Sequence, residues 1–209
     1  MDCVLCRTNA TFFVELHKSS YYRCLQCQLI FLDPAQRPTR QEEKNKYDLH
    51  QNSPTDPGYR SFLSPVVEEV KKRVHRQSIG LDFGCGPGPT VSVMLEEAGH
   101  VCRNYDPIYQ PDVSVLAQRY DFITCTEVIE HCFDPLQEIR SMKNMLKPAG
   151  FIALMTLFFD DPTSFAHSHY HRDPTHVVFF NQKVFQWIAN QLNLQCRFPQ
   201  QNVVVFEMQ

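Results

Sequence analysis

A short apolar run that breaks into closely spaced glycines, and then at once into a helical pattern, leaves a chain few ways to fold. Here the run is Ile79-Gly80-Leu81-Asp82-Phe83, the break is Gly84-Cys85-Gly86-Pro87-Gly88, and Thr90 to Ala98 reads as the helix. Glycines in such a turn let the backbone approach a ligand closely, and the helix N-terminus behind them offers unpaired N–H groups. A second strand, His100 to Asp106, ends in an acid 20 residues after Gly86. A carboxylate at that place can take both hydroxyls of a ribose. The order strand, glycine turn, helix, strand implies an α/β domain with a mostly parallel sheet. A pyrophosphate-binding GxGxxG would need glycine where Pro89 stands; the pattern is D-x-G-x-G-x-G instead.

The length of 209 residues suits one domain of about 150 residues with an appendage. Net charge is −3. Residues 82–138 hold ten carboxylates against Arg103 and Arg119, while Lys71, Lys72, Arg73 and Arg76 form one short basic patch. A protein that grips nucleic acid through phosphates is broadly basic, so a nucleic-acid partner is not favoured, although the patch leaves a transient contact open. No apolar run reaches the roughly 20 residues that span a bilayer. No basic, then apolar, leader opens the chain, so neither membrane nor secretion is expected.

Nine cysteines include Cys3, Cys6, Cys24 and Cys27, spaced C-x2-C-x17-C-x2-C. Each pair places two thiolates on one tight knuckle, and two knuckles complete a tetrahedral four-thiolate zinc shell. The alternative is two disulfides in a secreted protein, which the missing leader argues against. A piece of about 30 residues buries too little apolar surface to fold alone, and structural zinc supplies on the order of 10–16 kcal/mol. Strands over Thr11–Leu16, Tyr21–Cys24 and Leu29–Leu32 make this a zinc ribbon. The other cysteines, Cys85, Cys102, Cys125, Cys132 and Cys196, read as buried reduced thiols, and together they point to a cytoplasmic chain. Three regions are expected: a ribbon over 1–33, a Pro-rich connector and lid over 34–60, and the α/β domain over 61–209. Short helices are expected near Gln41–Leu49 and over Pro65–Gln77.

The D-x-G-x-G-x-G turn resembles the first motif of class I S-adenosylmethionine-dependent methyltransferases. The likeness continues through Tyr120 to His131, which looks like the family's fourth strand and following turn, and through the helix from Asp134-Pro135. It reaches Lys147-Pro148-Ala149-Gly150, which looks like the turn into strand five. The resemblance implies a Rossmann-like methyltransferase fold that binds S-adenosyl-L-methionine through Asp82, Gly84, Cys85, Gly86 and Gly88. It further implies that Asp106 holds the ribose and that Cys125 and Thr126 border the transferred methyl. Tyr47, His50, Asn52 and Tyr59 resemble the segment that folds over the cofactor, where aromatic faces attract a sulfonium. One departure stands out: only 13 residues separate Asp106 from Tyr120. A helix there is largely missing, and Asp112–Leu116 is left as a remnant third strand.

A second constellation is Glu127-x-x-Glu130-His131, which converges on one face if Glu127 opens a helical turn. Four histidines, His167, His169, His171 and His176, follow within ten residues. If extended, the first three share a face. Acids with histidines suit a divalent metal, and Glu127, Glu130, His131 and His176 form a candidate second site beside the zinc ribbon. The pattern is similar to that of small-RNA ribose 2′-O-methyltransferases and of ubiquinone-pathway O-methyltransferases, which implies metal-assisted O-methylation. The same residues without a metal would cap a helix or line the acceptor pocket, with His131 and Glu127 as catalytic groups. Three functions follow. The first is O-methylation of a small-molecule or glycan-like acceptor. The second is RNA methylation with the ribbon as reader, and the third is a non-catalytic S-adenosylmethionine-binding module.

Overall fold

The computed structural model describes residues 1–49 and 52–208; His50 of the expected lid lies outside the described residues. The N-terminal segment forms strands β1 (Ala10–Leu16), β2 (Ser19–Cys24) and β3 (Ile30–Leu32), paired antiparallel. The β1–β2 hairpin turns through His17 and Lys18, both at positive φ. Cys3 and Cys6 sit before β1, and Cys24 and Cys27 sit at the end of β2 and beyond it.

Two helices fill the connector. α1 (Arg40–Tyr47) begins with a capping box in which Thr39 and Glu42 satisfy each other's backbone N–H groups. α2 (Pro57–Arg73) starts eight residues before the expected helix and stops four short of it. The early start has a cause: Asp56 accepts hydrogen bonds from Gly58 and Tyr59 N–H, and Pro57 occupies the first helical position. Pro65 then lies inside the helix, where it cannot donate to the Ser61 carbonyl. The Ser64 hydroxyl donates to that carbonyl instead, at 2.8 Å.

The α/β part contains β4 (Ile79–Phe83), α3 (Thr90–Glu97), β5 (Val101–Tyr105), β6 (Tyr120–Thr126), α4 (Pro135–Asn144) and β7 (Leu146–Met155). It continues with α5 (Pro162–His167), β8 (Val178–Phe179), α6 (Gln182–Leu192), β9 (Leu194–Gln200) and β10 (Val203–Met208). The main sheet has the order β5-β4-β6-β7-β10-β9. β4, β5, β6 and β7 run parallel, and β9 and β10 antiparallel to their neighbours. The alternation of side chains splits the sheet's core. Phe151, Ala153, Met155, Val203 and Val205 face α2 and α3, while Ile152, Leu154, Val204 and Phe206 face the ribbon side. Among the described residues no helix is long and apolar enough to cross a membrane.

Three expectations change. Asp112–Leu116 is not a strand: Val113–Ala117 is a 3-10 turn, and β5 ends the sheet. Thirteen residues cannot both return from the end of β5 and lay a further strand beside it, so the chain closes in a single turn. The Lys147–Gly150 segment is not a free turn but the irregular start of β7, with Ala149 at φ 62° and a register shift against β6. His167, His169 and His171 are not extended; they lie at the end of α5 and around a 3-10 turn, and only His171 is buried.

The ribbon does not hang free. β3 pairs antiparallel with β8, so a strand from the α/β part completes the ribbon sheet. Tyr21, Phe31, Phe165 and Phe179 share one continuous core across the junction.

Candidate active site

Strand order reverses at β4, whose neighbours β5 and β6 leave by opposite routes; ligands of open α/β sheets bind at such a point. A cavity of about 1030 Å3 opens there, above the carboxyl ends of these strands. Gly84, Cys85, Gly86, Asp82 and Asp106 line one side. Gly84 and Gly86 have φ of 76° and 64°, the left-handed region that side chains with a Cβ avoid. A Cβ on Gly86 would meet nothing within 4 Å, so this part of the loop faces open space. A Cβ on Gly84 would lie 2.4 Å from a Val128 methyl, which is where the loop packs on the turn after β6.

Asp106 is buried, and its carboxylate ties the loop to the end of β5. It accepts from Gly86 N–H at 3.1 Å, Ile108 N–H at 2.8 Å and Tyr109 N–H at 2.9 Å. A carboxylate has about four acceptor sites, so capacity remains for a hydroxyl in the cavity it lines. Asp82 accepts from the Thr124 hydroxyl at 2.8 Å. Burial, with the Asp106 charge adding to it and the Thr124 hydrogen bond opposing, pushes its carboxyl up to about 7. Ile108, Leu116 and Ala117 line the far wall, so the 3-10 turn replaces the absent strand as a surface of the cavity.

The other side is lined by Thr126, Glu127, His131, His176 and the lid tyrosines Tyr47 and Tyr59. Glu127 does not open a helical turn. Its φ is 52°, a conformation costly for a residue with a Cβ, and the following 3-10 turn covers only Ile129–His131. Convergence arises another way. The Tyr170 hydroxyl meets a Glu127 carboxyl oxygen at 3.1 Å and also contacts Glu130. Thr156 donates to the second Glu130 oxygen at 3.1 Å. Glu130 is thus 0% exposed but held by two hydroxyls. Burial and the neighbouring Glu130 charge push the Glu127 carboxyl up to about 9.

Both histidines are oriented by main-chain carbonyls. His131 Nδ1 lies 3.0 Å from Thr175 O, and His176 Nδ1 lies 2.8 Å from Tyr170 O. A carbonyl only accepts, so each Nδ1 carries the hydrogen and each neutral ring keeps its lone pair on Nε2. Burial holds His176 below the usual histidine range. The rings stand edge to face with centroids 4.7 Å apart, and Tyr47 abuts His131 at 5.3 Å. Glu130, His131 and His176 each place a ligand atom within 4.8 Å of the others. Glu127, also expected there, is not among them.

Two expected contacts fall outside the cavity. Cys125 is fully buried in β6, its side chain turned into the core. Gly88 packs on the connector: a Cβ there would lie 2.1 Å from the Asn52 carbonyl oxygen. Tyr170 and Thr156 escape sequence reasoning because they lie 40 and 26 residues from Glu130 and no spacing rule joins them.

Cys3, Cys6, Cys24 and Cys27 also meet, with ligand atoms within 4.8 Å of one another. The S···S distances are 3.6 Å (Cys3–Cys27) and 3.4 Å (Cys6–Cys24). These exceed a disulfide bond of about 2.05 Å and approach the roughly 3.8 Å edge of a tetrahedron with 2.3 Å Zn–S bonds.

A family model described as a methyltransferase domain matches residues 59–197. Ubiquinone biosynthesis O-methyltransferase of Serratia proteamaculans is 28% identical over 92 residues, 44% of this chain and 38% of that protein. The Aliivibrio fischeri protein of the same name is 34% identical over 92 residues, with 44% and 39% covered. The chain therefore matches about two fifths of the length of these curated relatives. A Burkholderia thailandensis 1,6-didemethyltoxoflavin-N1-methyltransferase, solved with 1,6-didemethyltoxoflavin and S-adenosylhomocysteine, shares the fold with TM-score 0.59. The two are 13% identical, over 96% of this chain and 99% of that one. An O-methyltransferase family protein of the same organism gives TM-score 0.59 at 11% identity, over 84% and 65% of the two chains. With the family match covering well over half of the sequence, and the glycine turn and strand order in place, the chain belongs to the methyltransferase domain family and carries the Rossmann-like fold of class I S-adenosylmethionine-dependent methyltransferases.

Proposed function

We propose that the protein transfers the methyl group of S-adenosylmethionine to a hydroxyl of a small-molecule or glycan-like acceptor. The observation that carries this reading is a single cavity lined both by the glycine turn with Asp106 and by Glu127, His131 and His176. The donor fits its side: the turn around Gly86 faces open space, Asp106 keeps acceptor capacity for a ribose, and Tyr47 and Tyr59 border the place of a sulfonium.

A sulfonium methyl is already activated, so the protein's main task is alignment, which contributes roughly 7–11 kcal/mol. The acceptor hydroxyl must also lose a proton. At neutral pH Glu127 holds its own proton, so the base is His131, whose Nε2 lone pair is set by the Nδ1 contact with Thr175. Glu127 donates to, or orients, the acceptor. A divalent ion is the alternative to a histidine base: Glu130, His131 and His176 would hold it, with the His131 Nε2 lone pair given to the ion and Tyr170, Thr156 and two backbone carbonyls orienting the ligands. Such an ion lowers the pKa of a hydroxyl bound beside it. Cys3, Cys6, Cys24 and Cys27 would hold a structural zinc, a site separate from the Glu130, His131 and His176 cluster.

RNA as the acceptor finds less support. Lys71, Lys72 and Arg73 pair with Glu68, Glu69 and Glu207, and the ribbon region 1–33 carries three basic and three acidic residues. Titration calorimetry tests the donor directly. S-adenosylmethionine and S-adenosylhomocysteine are expected to give saturable heats and NAD none; the absence of heat with the first two refutes the reading. Elemental analysis is expected to find one zinc per chain, plus uptake of a second divalent ion that the His176→Ala variant loses.

A further inference from the structure

A second cavity, of about 570 Å3, lies between the β1–β2 hairpin of the ribbon and the loop that follows α5. It adjoins the active site, because Asp173 and His176 line both. Its floor is apolar, built from Leu16 and Leu32 with the Tyr21 ring, whose hydroxyl is engaged with the His171 carbonyl at 3.3 Å. Gln36 is likewise occupied, bonding Lys18 O at 2.9 Å and Ser20 N–H at 2.7 Å. The Ser19 hydroxyl is engaged with Tyr21 and the His171 ring with the main chain at Ala166, so what remains for a ligand is His17 and Arg172.

The charges in this cleft are unbalanced. Its one carboxylate, Asp173, is paired with Lys46 at 3.2 Å and accepts from Thr175 N–H at 3.0 Å and Oγ1 at 2.6 Å. Arg172 is exposed, and its guanidinium has no hydrogen-bond or ion-pair partner among the described residues. The His17 and His171 rings stack at 5.9 Å. Burial holds His171 below the usual histidine range, with a main-chain hydrogen bond at Ala166 opposing and the nearby Arg172 charge adding to it. The Arg172 guanidinium and the His17 imidazole, above an apolar floor, make a place for an oxyanion.

We propose that this cleft is a second anchor for the methyl acceptor. It takes a phosphate or carboxylate group carried by that molecule, with Arg172 as the principal contact and His17 beside it. The acceptor's hydroxyl then lies at His131 and its anionic group against the ribbon, so the ribbon becomes one wall of the acceptor site. The acceptor role of the cleft rests on the methyltransferase reading; its affinity for an anion does not.

The test uses the zinc-loaded full chain, with inorganic phosphate and acetate as probes, in the presence and absence of S-adenosylhomocysteine. Histidine ring C–H signals are followed by NMR. Saturable shifts of His17 and His171, insensitive to S-adenosylhomocysteine and weakened at least tenfold by Arg172→Ala, are expected. Arg172 is exposed and unpaired, so its removal leaves the fold intact. Tighter binding of phosphate than acetate assigns a phosphoryl group, and the reverse assigns a carboxylate. No saturable shift at these two rings, or equal affinity in Arg172→Ala, overturns the proposal. Phosphate binding in a chain that gives no heat with either sulfur nucleoside overturns the acceptor role by way of the methyltransferase reading and leaves an anion site alone.

Discussion

Gly84 and Gly86 stand two residues apart in the same left-handed conformation, yet alanine at the two positions is expected to fail for different reasons. At either, a Cβ in that region costs about 1–2 kcal/mol, partly offset by the 0.4–1 kcal/mol that alanine gains through a stiffer unfolded chain. Gly86→Ala meets nothing else within 4 Å, so it should cost about 1 kcal/mol of stability. At Gly84 the new methyl would lie 2.4 and 2.8 Å from the two Val128 methyls. Overpacking of that kind adds about 1–3 kcal/mol, for a total near 3 kcal/mol. In a chain of this size the two variants should melt about 2–4 °C and about 6–12 °C below the parent. Binding reverses the order of harm per unit of stability. The Gly86→Ala methyl projects into the cavity and should abolish the calorimetric signal of S-adenosylhomocysteine, while Gly84→Ala, below its melting point, retains part of it. Denaturant unfolding of Gly84→Ala, Val128→Ala and the double variant isolates the clash, and the double variant should recover about 1 kcal/mol or more of the loss. Equal melting points for the two alanine variants, or strict additivity with Val128→Ala, would refute this account of the loop.

Asp82 has its carboxyl raised to about 7, against an ordinary 3.8. The folded state therefore keeps a proton that the unfolded state releases, and this stability is full below pH 4 and lost as pH rises through 7. Asp82→Asn should match the parent near pH 4 and exceed it at pH 8, by on the order of 4 kcal/mol at most. Parallel pH–stability curves from denaturant melts would contradict this. Because β3 pairs with β8, stripping zinc with a chelator should lower the melting temperature of the whole chain rather than release a separate ribbon transition. Two resolved transitions in calorimetry would show the junction to be weaker than its shared core implies. Tyr170→Phe removes the hydroxyl shared by Glu127, Glu130 and Thr156 and should destabilise by about 1–3 kcal/mol in urea melts, since a buried carboxylate loses a donor.

Local pattern was enough for much of this protein. The apolar run before Gly84, the acid closing β5 and the cysteine spacing each act within about 25 residues, where chain connectivity alone brings the groups together. Helix starts were less legible, as α2 shows, because the Asp56 cap outweighed the apolar spacing used to place it. Glu127 and Glu130 were recognised as partners, but the helical turn invoked to join them does not form. They meet through Tyr170, which reaches them from beyond β7. The remnant strand failed for a converse reason: its residues suit a strand, but the short return from β5 leaves no room to lay one.

From the chain of residues alone came the glycine turn, the four-cysteine knuckles and the list of acids and histidines with chemistry to offer. Only the tertiary structure decided which of them share a cavity, that Cys125 and Gly88 do not, and that a strand from the α/β part, β8, completes the ribbon sheet. The division has a physical origin. Turns, knuckles and strand ends are set by local backbone geometry, whereas the pairing of buried polar groups is settled by whichever distant segment can satisfy their hydrogen bonds once water is excluded.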